Sequence, residues 1–114
     1  GFLEQARMLG DDGRLAHGDL AVDANGNGRI FLSSTVDYEG PRRHREHCAA
    51  AQAWSAVPWI VDGVMVYVED VDAHYARAVA AGAVILTPPE DGFPARRYRC
   101  EDLEGHRWMF MQRP

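Results

Sequence analysis

Two cysteines, Cys48 and Cys100, are all that the 114 residues contain, too few for the disulfide framework on which a small secreted domain depends. A reducing compartment fits best, and a cytoplasmic location is the expectation. Positive charge is also short, with 12 Lys and Arg against 17 Asp and Glu and a formal net charge of -5. A polyanion or an anionic membrane needs a positive field over much of the protein surface, so neither nucleic acid nor membrane is an expected partner. No apolar run approaches the length needed to cross a bilayer, and no basic-then-apolar leader stands at the N-terminus. The chain begins at Gly1-Phe2, without an initiator Met.

What is present is a core. Hydrophobic residues make up 46% of the chain, enough at this length to bury an interior and to predict one domain. The basic residues cluster in two places, Arg42-Arg43-His44-Arg45 and Arg96, Arg97 and Arg99. The first run reads as a solvated face. A small anionic ligand remains compatible with such clusters where a polyanion is not.

Turn residues divide the first 33 residues into three strands, Phe2 to Leu9, Leu15 to Val22 and Arg29 to Ser33. Gly10-Asp11-Asp12-Gly13 and Asp23-Ala24-Asn25-Gly26 separate them, since Gly and Asp tolerate the backbone angles of turns. Residues 34 to 62 read as a connector, with one short helix from Arg43 to Trp54 that Pro58 would stop. From Val64 the pattern becomes strand, helix and three strands. Val64-Met65-Val66-Tyr67-Val68 is a buried strand, and Asp70 caps a helix whose apolar face is Val71, Tyr75, Ala78 and Val79. Gly82 ends that helix, and strands follow at Ala83 to Thr87, Arg96 to Glu101 and Arg107 to Gln112.

The two halves repeat. An offset of 79 carries Asp11-Asp12-Gly13 onto Glu90-Asp91-Gly92, Asp23 onto Asp102, Gly26 onto Gly105 and Phe31 onto Phe110. A single D-x-x-G turn recurs in unrelated hairpins, but one register running from an acidic turn to a later Phe marks a duplication. The first copy lacks the strand and helix that Gly63 to Ala81 supply to the second. Residues upstream of Gly1, or another chain, are expected to provide them.

Paired βαβββ units of this wording resemble the vicinal-oxygen-chelate superfamily of glyoxalases, bleomycin-resistance proteins and extradiol dioxygenases. Val66-Tyr67-Val68-Glu69-Asp70-Val71-Asp72 with Ala81-Gly82-Ala83 is similar to the strand, helix and turn of the second module. Arg96-Arg97-Tyr98-Arg99-Cys100-Glu101-Asp102-Leu103-Glu104-Gly105-His106-Arg107-Trp108 resembles an R-x-Y-x-x-x-D-P-x-G-H-x-W signature, with Leu103 where Pro is usual. Gly1-Phe2 and His17-Gly18-Asp19-Leu20 also resemble the family. The resemblance implies an α+β fold in which paired βαβββ modules form a curved mixed sheet enclosing a cleft, the first module lacking its N-terminal βα in this chain. The expected organisation is a single domain over 1–114, with a partial first module at 1–33, a connector at 34–62 and a complete second module at 63–114. It also implies pairing into a homodimer.

Many relatives hold a divalent metal with His, Gln or Glu side chains, two from each module. Here those positions fall near Gly63, at Met109 and, by the offset, at Ile30; the fourth lies on the absent strand. Gly and Ile offer no donor, and a lone thioether is a poor ligand for a hard cation. The expectation is therefore no metal and no other cofactor. His44 and His47 have a zinc-compatible i, i+3 spacing, but an exposed polar helix explains them better. His106 reads as a structural hydrogen-bonding residue, and Cys100 as an inert core thiol. His17 and Asp19 share a strand face as an acid-base pair would, with a structural role favoured.

If Met109 faces the cleft, alternation sends Arg107 and Met111 there and turns Trp108 and Phe110 toward the helix. Met65 and Tyr67 then also face the cleft, and a bulged turn pairs Arg99 with Met109 and Arg97 with Met111. The expected ligand-contacting residues are thus Met65, Tyr67, Arg97, Arg99, Met109, Met111 and Ile30, with no catalytic residue identified. They suit a small, partly aromatic or acidic molecule. Three functions compete: a metal-independent binding protein sequestering an antibiotic or toxic metabolite, a metal-dependent lyase, isomerase or dioxygenase, and an interaction module without a ligand.

Overall fold

A computed structural model describes residues 2–26, 28–34, 40–56 and 63–113. Two compact units emerge, one within 1–38 and one within 39–114. The first is an antiparallel sheet of β1 (Leu3–Leu9), β2 (Leu15–Ala21) and β3 (Arg29–Leu32), in that order. The second opens with α1 (Gly40–His47) and α2 (Ala49–Ser55). It continues with β4 (Val64–Val68), α3 (Val71–Ala80), β5 (Val84–Glu90), β6 (Arg97–Glu101) and β7 (Arg107–Gln112). Its sheet has the order β4-β7-β6-β5, with β4 parallel to β7 and the other pairs antiparallel. The βαβββ succession expected after residue 63 is therefore present, and the fold is α+β.

The duplication extends to backbone hydrogen bonds. In the β2–β3 turn, Gly26 N–H donates to the Asp23 carbonyl (3.1 Å) and Asn25 N–H to Asp23 Oδ1 (2.9 Å). In the β6–β7 turn, Gly105 N–H donates to the Asp102 carbonyl and Glu104 N–H to Asp102 Oδ1, both at 3.0 Å. Gly26 and Gly105 have φ of 75° and 89°, the left-handed region that a side chain disfavours. The same turn chemistry sets the same register. Gly18↔Leu32, Leu20↔Ile30 and Ala21↔Arg29 reproduce Arg97↔Met111, Arg99↔Met109 and Cys100↔Trp108, each residue displaced by 79. The offset fails on the outer strand. Cys100 faces Ile85, whereas Ala21 faces Leu3 rather than Ala6.

Helix α3 forms where the sequence places it. Asp70 accepts the Ala73 N–H (2.9 Å), while Gly82, at φ 88°, lets the Ala83 N–H return to the Ala78 carbonyl (3.0 Å). Its buried face differs from the expected stripe. Val71 is fully buried but Val79 is 48% exposed, and His74 occupies the sheet side instead. Residues at both i+3 and i+4 from Val71 fall on one helical face, so the same spacing admits His74 beside Tyr75. The His74 ring lies 4.1 Å from that of Phe110, and its Nδ1 is 2.8 Å from the Tyr98 hydroxyl. Tyr98, Cys100 and Phe110 complete this layer of the core.

Two other boundaries move. The helix expected from Arg43 to Trp54 is two helices interrupted at Cys48, and it begins earlier because Pro41 suits a first helical turn. Pro58 lies outside the described residues. Strand β5 continues through Pro88-Pro89 to Glu90 because it is a sheet edge, where proline's missing donor leaves no neighbouring strand unserved. The Arg42 to Arg45 run is not simply solvated. Arg42 and Arg45, one helical turn apart, turn toward the sheet and donate to the carbonyls of Asp102 (2.9 Å) and Gly105 (3.2 Å), while Arg43 and His44 remain exposed.

Candidate functional site

Helix α3 covers the face of the second sheet that carries Tyr98, Cys100 and Phe110. Alternation places Met65 and Tyr67 of β4, Arg97, Arg99 and Glu101 of β6, and Arg107, Met109 and Met111 of β7 on the opposite face. The register makes them neighbours: Met65↔Met109↔Arg99 form one row across β4, β7 and β6, and Tyr67↔Met111↔Arg97 form the next. Six of the seven residues singled out from sequence thus lie together. Ile30 lies on β3 of the first unit, opposite Leu20.

The floor is soft and apolar. Met111, between Tyr67 and Arg97, is 4% exposed, whereas Met65 and Tyr67 at the β4 edge are 44% and 41% exposed. Thioethers adapt to irregular shapes and contact aromatic rings favourably, while the tyrosine offers a flat surface with a polar tip. At one end of this face Glu101 receives two guanidinium groups. Arg45 Nη2 lies 2.8 Å from its Oε2 and Arg107 Nε 3.4 Å from its Oε1, and Arg107 Nη2 also donates to the Ser55 carbonyl. These side chains are largely buried, so helices α1 and α2 are fastened to the sheet by ionic hydrogen bonds.

At the other end stand Arg97 and Arg99, with Glu90 of β5 between them. Arg99 Nη1 donates to Glu90 Oε1 (2.8 Å) and Thr87 Oγ1 (3.2 Å); Arg97 Nε is 3.6 Å from the same Glu90 oxygen. The hydrogen bond from Arg99 holds the Glu90 carboxyl below its usual carboxylate range. Arg97 is further committed to the β5–β6 loop, because its Nη1 donates to the Phe93 carbonyl (2.7 Å). Arg99 Nε is buried without a hydrogen-bond acceptor.

Sequence reasoning did not identify Glu90, Thr87 or the Arg45–Glu101–Arg107 network. Pairing Asp102 with His106 already implied the cross-strand pair Glu101↔Arg107, which is a readable signal. Asp19 is bound through both carboxylate oxygens by Arg29, while His17 lies 5.3 Å from the Phe31 ring, an arrangement that agrees with the structural role favoured for this pair over acid-base chemistry. This bidentate contact holds Asp19 below the usual carboxylate range. His106 Nδ1 stands 3.3 Å from Asp102 Oδ2, as a structural role requires, and burial pushes the Cys100 thiol up to about 11.

The residues do not fit the divalent metal implied by the resemblance. Gly63 has no side chain, Ile30 presents hydrocarbon and Met109 a thioether, none a donor for a hard cation. Among the described residues, no three His, Cys, Asp or Glu side chains are grouped to hold an ion; His44 and His47 are exposed on α1. The first sheet carries a hollow of its own, about 330 Å³, lined by residues including Leu9, Leu15, Gly18, Leu20 and Leu32, with the Glu4–Arg7 ion pair at its edge. Gly18, Leu20 and Leu32 correspond by the offset to Arg97, Arg99 and Met111. The first unit therefore has no counterpart of Arg97 and Arg99, and the only cation lining its hollow among the described residues is Arg7, which is paired with Glu4. No described helix is long and apolar enough to cross a membrane.

Comparison with solved structures finds a similar chain in TioX from Micromonospora sp. ML1, 32% identical, with a TM-score of 0.64 over 98% of this chain and 79% of that one. UcmS2 is similar in fold, at 15% identity and a TM-score of 0.65 over 99% of this chain and 80% of that one. A search of curated proteins finds no match. The family model described as glyoxalase/bleomycin resistance protein/dioxygenase superfamily matches residues 38–110, more than half of the sequence, and the chain belongs to that superfamily.

Proposed function

We propose that this chain is a cytoplasmic, metal-independent small-molecule binding protein that sequesters a compact aromatic antibiotic or metabolite on the face of its second sheet opposite α3. The observation that carries this reading is the pair of rows Met65–Met109–Arg99 and Tyr67–Met111–Arg97. They join an adaptable apolar floor to a hydrogen-bonding margin, the composition of sites that bury a ring and orient its polar substituents. The family's metal positions, filled by Met109, Ile30 and Gly63, support binding without Lewis-acid chemistry. The resistance proteins among the superfamily's members agree with a sequestering role.

Calorimetric titration with 2-naphthamide, a neutral bicyclic probe, tests the floor. Saturable binding is expected for the native protein, weakened at least about tenfold by Met65→Ser combined with Tyr67→Ser, since each removes a large contact surface. Absence of binding, or binding indifferent to the double substitution, would overturn the proposal. So would stoichiometric Ni, Zn, Fe or Mn in the purified protein.

A further inference from the structure

Arg97 and Arg99 are two residues apart on β6, share a face and share Glu90, yet their remaining nitrogens differ in availability. Arg97 is held by the Phe93 carbonyl, and the loop sits so close over it that a Cβ on Gly92 would come within 2.9 Å of its Nη2. Arg99 uses only Nη1, on Glu90 and Thr87. Its Nε–Nη2 edge makes no hydrogen bond to any described residue, and Nε is buried. That edge is the side of a guanidinium that offers two parallel N–H groups, the geometry that a carboxylate accepts in bidentate fashion. A buried donor without a partner is costly and calls for an explanation.

We propose that the free edge of Arg99 recognises the carboxylate of a planar aromatic monoacid, and that Glu90 is a built-in competitor which keeps this affinity moderate. The inference rests on the binding role assigned above and specifies its ligand class. Two guanidinium groups facing one carboxylate leave a local charge of +1, which a monoanion neutralises. Met109 is the β7 neighbour of Arg99 on the same face of the sheet. Its unbranched chain has the freedom to repack around a ligand, whose ring would rest on Met109 and Met65 while its carboxylate meets Arg99. Glu90 already occupies the other side of the guanidinium, so its negative charge repels the incoming carboxylate and draws on the same positive field.

Titration with 2-naphthoate and with 2-naphthamide at pH 7.5 separates the acid from its neutral counterpart. The native protein is expected to bind the acid more tightly. Arg99→Met should weaken 2-naphthoate at least about tenfold, the loss of a charge-assisted bidentate contact, and 2-naphthamide by a clearly smaller factor, since the amide loses only a single hydrogen bond to a neutral acceptor. Glu90→Gln should tighten 2-naphthoate about fivefold, the scale of one partly screened charge a few ångströms away, again without moving the amide. Thermal unfolding of each variant checks that it remains folded. Equal binding of acid and amide by the native protein, or acid binding indifferent to Glu90→Gln, would overturn this proposal and leave the apolar floor standing. Failure of both probes to bind would instead overturn the floor itself.

Discussion

Replacing Glu101 by Leu removes the only carboxylate found between Arg45 and Arg107 among the described residues. Side-chain exposures are 9% for Glu101, 13% for Arg45 and 2% for Arg107, so the substitution leaves two guanidinium groups in poor contact with water. Breaking a buried ion pair from one side typically costs about 3–5 kcal/mol. Arg107 keeps its bond to the Ser55 carbonyl and Arg45 its bond to the Gly105 carbonyl (3.2 Å), which points to the lower end, about 3 kcal/mol. With a urea sensitivity of about 2 kcal/mol per molar for a protein of this size, the midpoint should fall by about 1.5 M. Unfolding followed by tryptophan fluorescence measures it, and far-UV circular dichroism confirms that the variant begins folded. Replacing the entire network, Arg45→Met with Glu101→Leu and Arg107→Met, should recover most of the loss, because no uncompensated charge then remains. Glu69→Gln should leave the midpoint unchanged, since Glu69 and Arg113 are 84% and 59% exposed. A Glu101→Leu midpoint within 0.3 M of the native value, or a triple variant no better than the single one, would refute the claim that this network fastens α1 and α2 to the sheet.

Burial lowers the pKa of His74 from the ordinary 6.5, so the unfolded chain takes up the proton first; stability should be complete above that value and decline as pH falls through it toward the folded value. Urea midpoints between pH 7 and 5 should decline less in His74→Gln, which keeps a hydrogen-bonding group near Tyr98, and equal slopes would count against the assignment. Ellman's reagent should titrate the half-buried Cys48 promptly, and Cys100, 3% exposed with its thiol pushed up to about 11, only after denaturation; prompt reaction of both would contradict that core placement. Gly105→Ala should destabilise more than Gly13→Ala in thermal unfolding. Both glycines have positive φ, but only at Gly105 would the new Cβ collide, 2.8 Å from that of Arg42.

The parts of the site legible in the sequence were those governed by local geometry. The Asp102 and Gly105 turn chemistry dictates which β6 residue faces which β7 residue, and strand alternation then assigns Met65, Tyr67, Arg97, Arg99, Met109 and Met111 to one face. The Gly-capped helix was legible for the same reason. Partners supplied by distant elements were not: Arg45 reaches Glu101 from a helix that begins and breaks differently from its propensity pattern, and His74 enters the core through a spacing that equally admits its neighbours. Arg97 and Arg99 show where local reasoning must yield to tertiary placement. They are the same residue type, on the same strand and face, and both contact Glu90. What separates them is a loop carbonyl at Phe93 and the close approach of Gly92, which occupy Arg97, while the Nε–Nη2 edge of Arg99 meets no acceptor among the described residues. The proposed recognition is therefore assigned to Arg99 by the hydrogen bonds its guanidinium does not make to the described residues, with Arg97 holding the loop in place beside it.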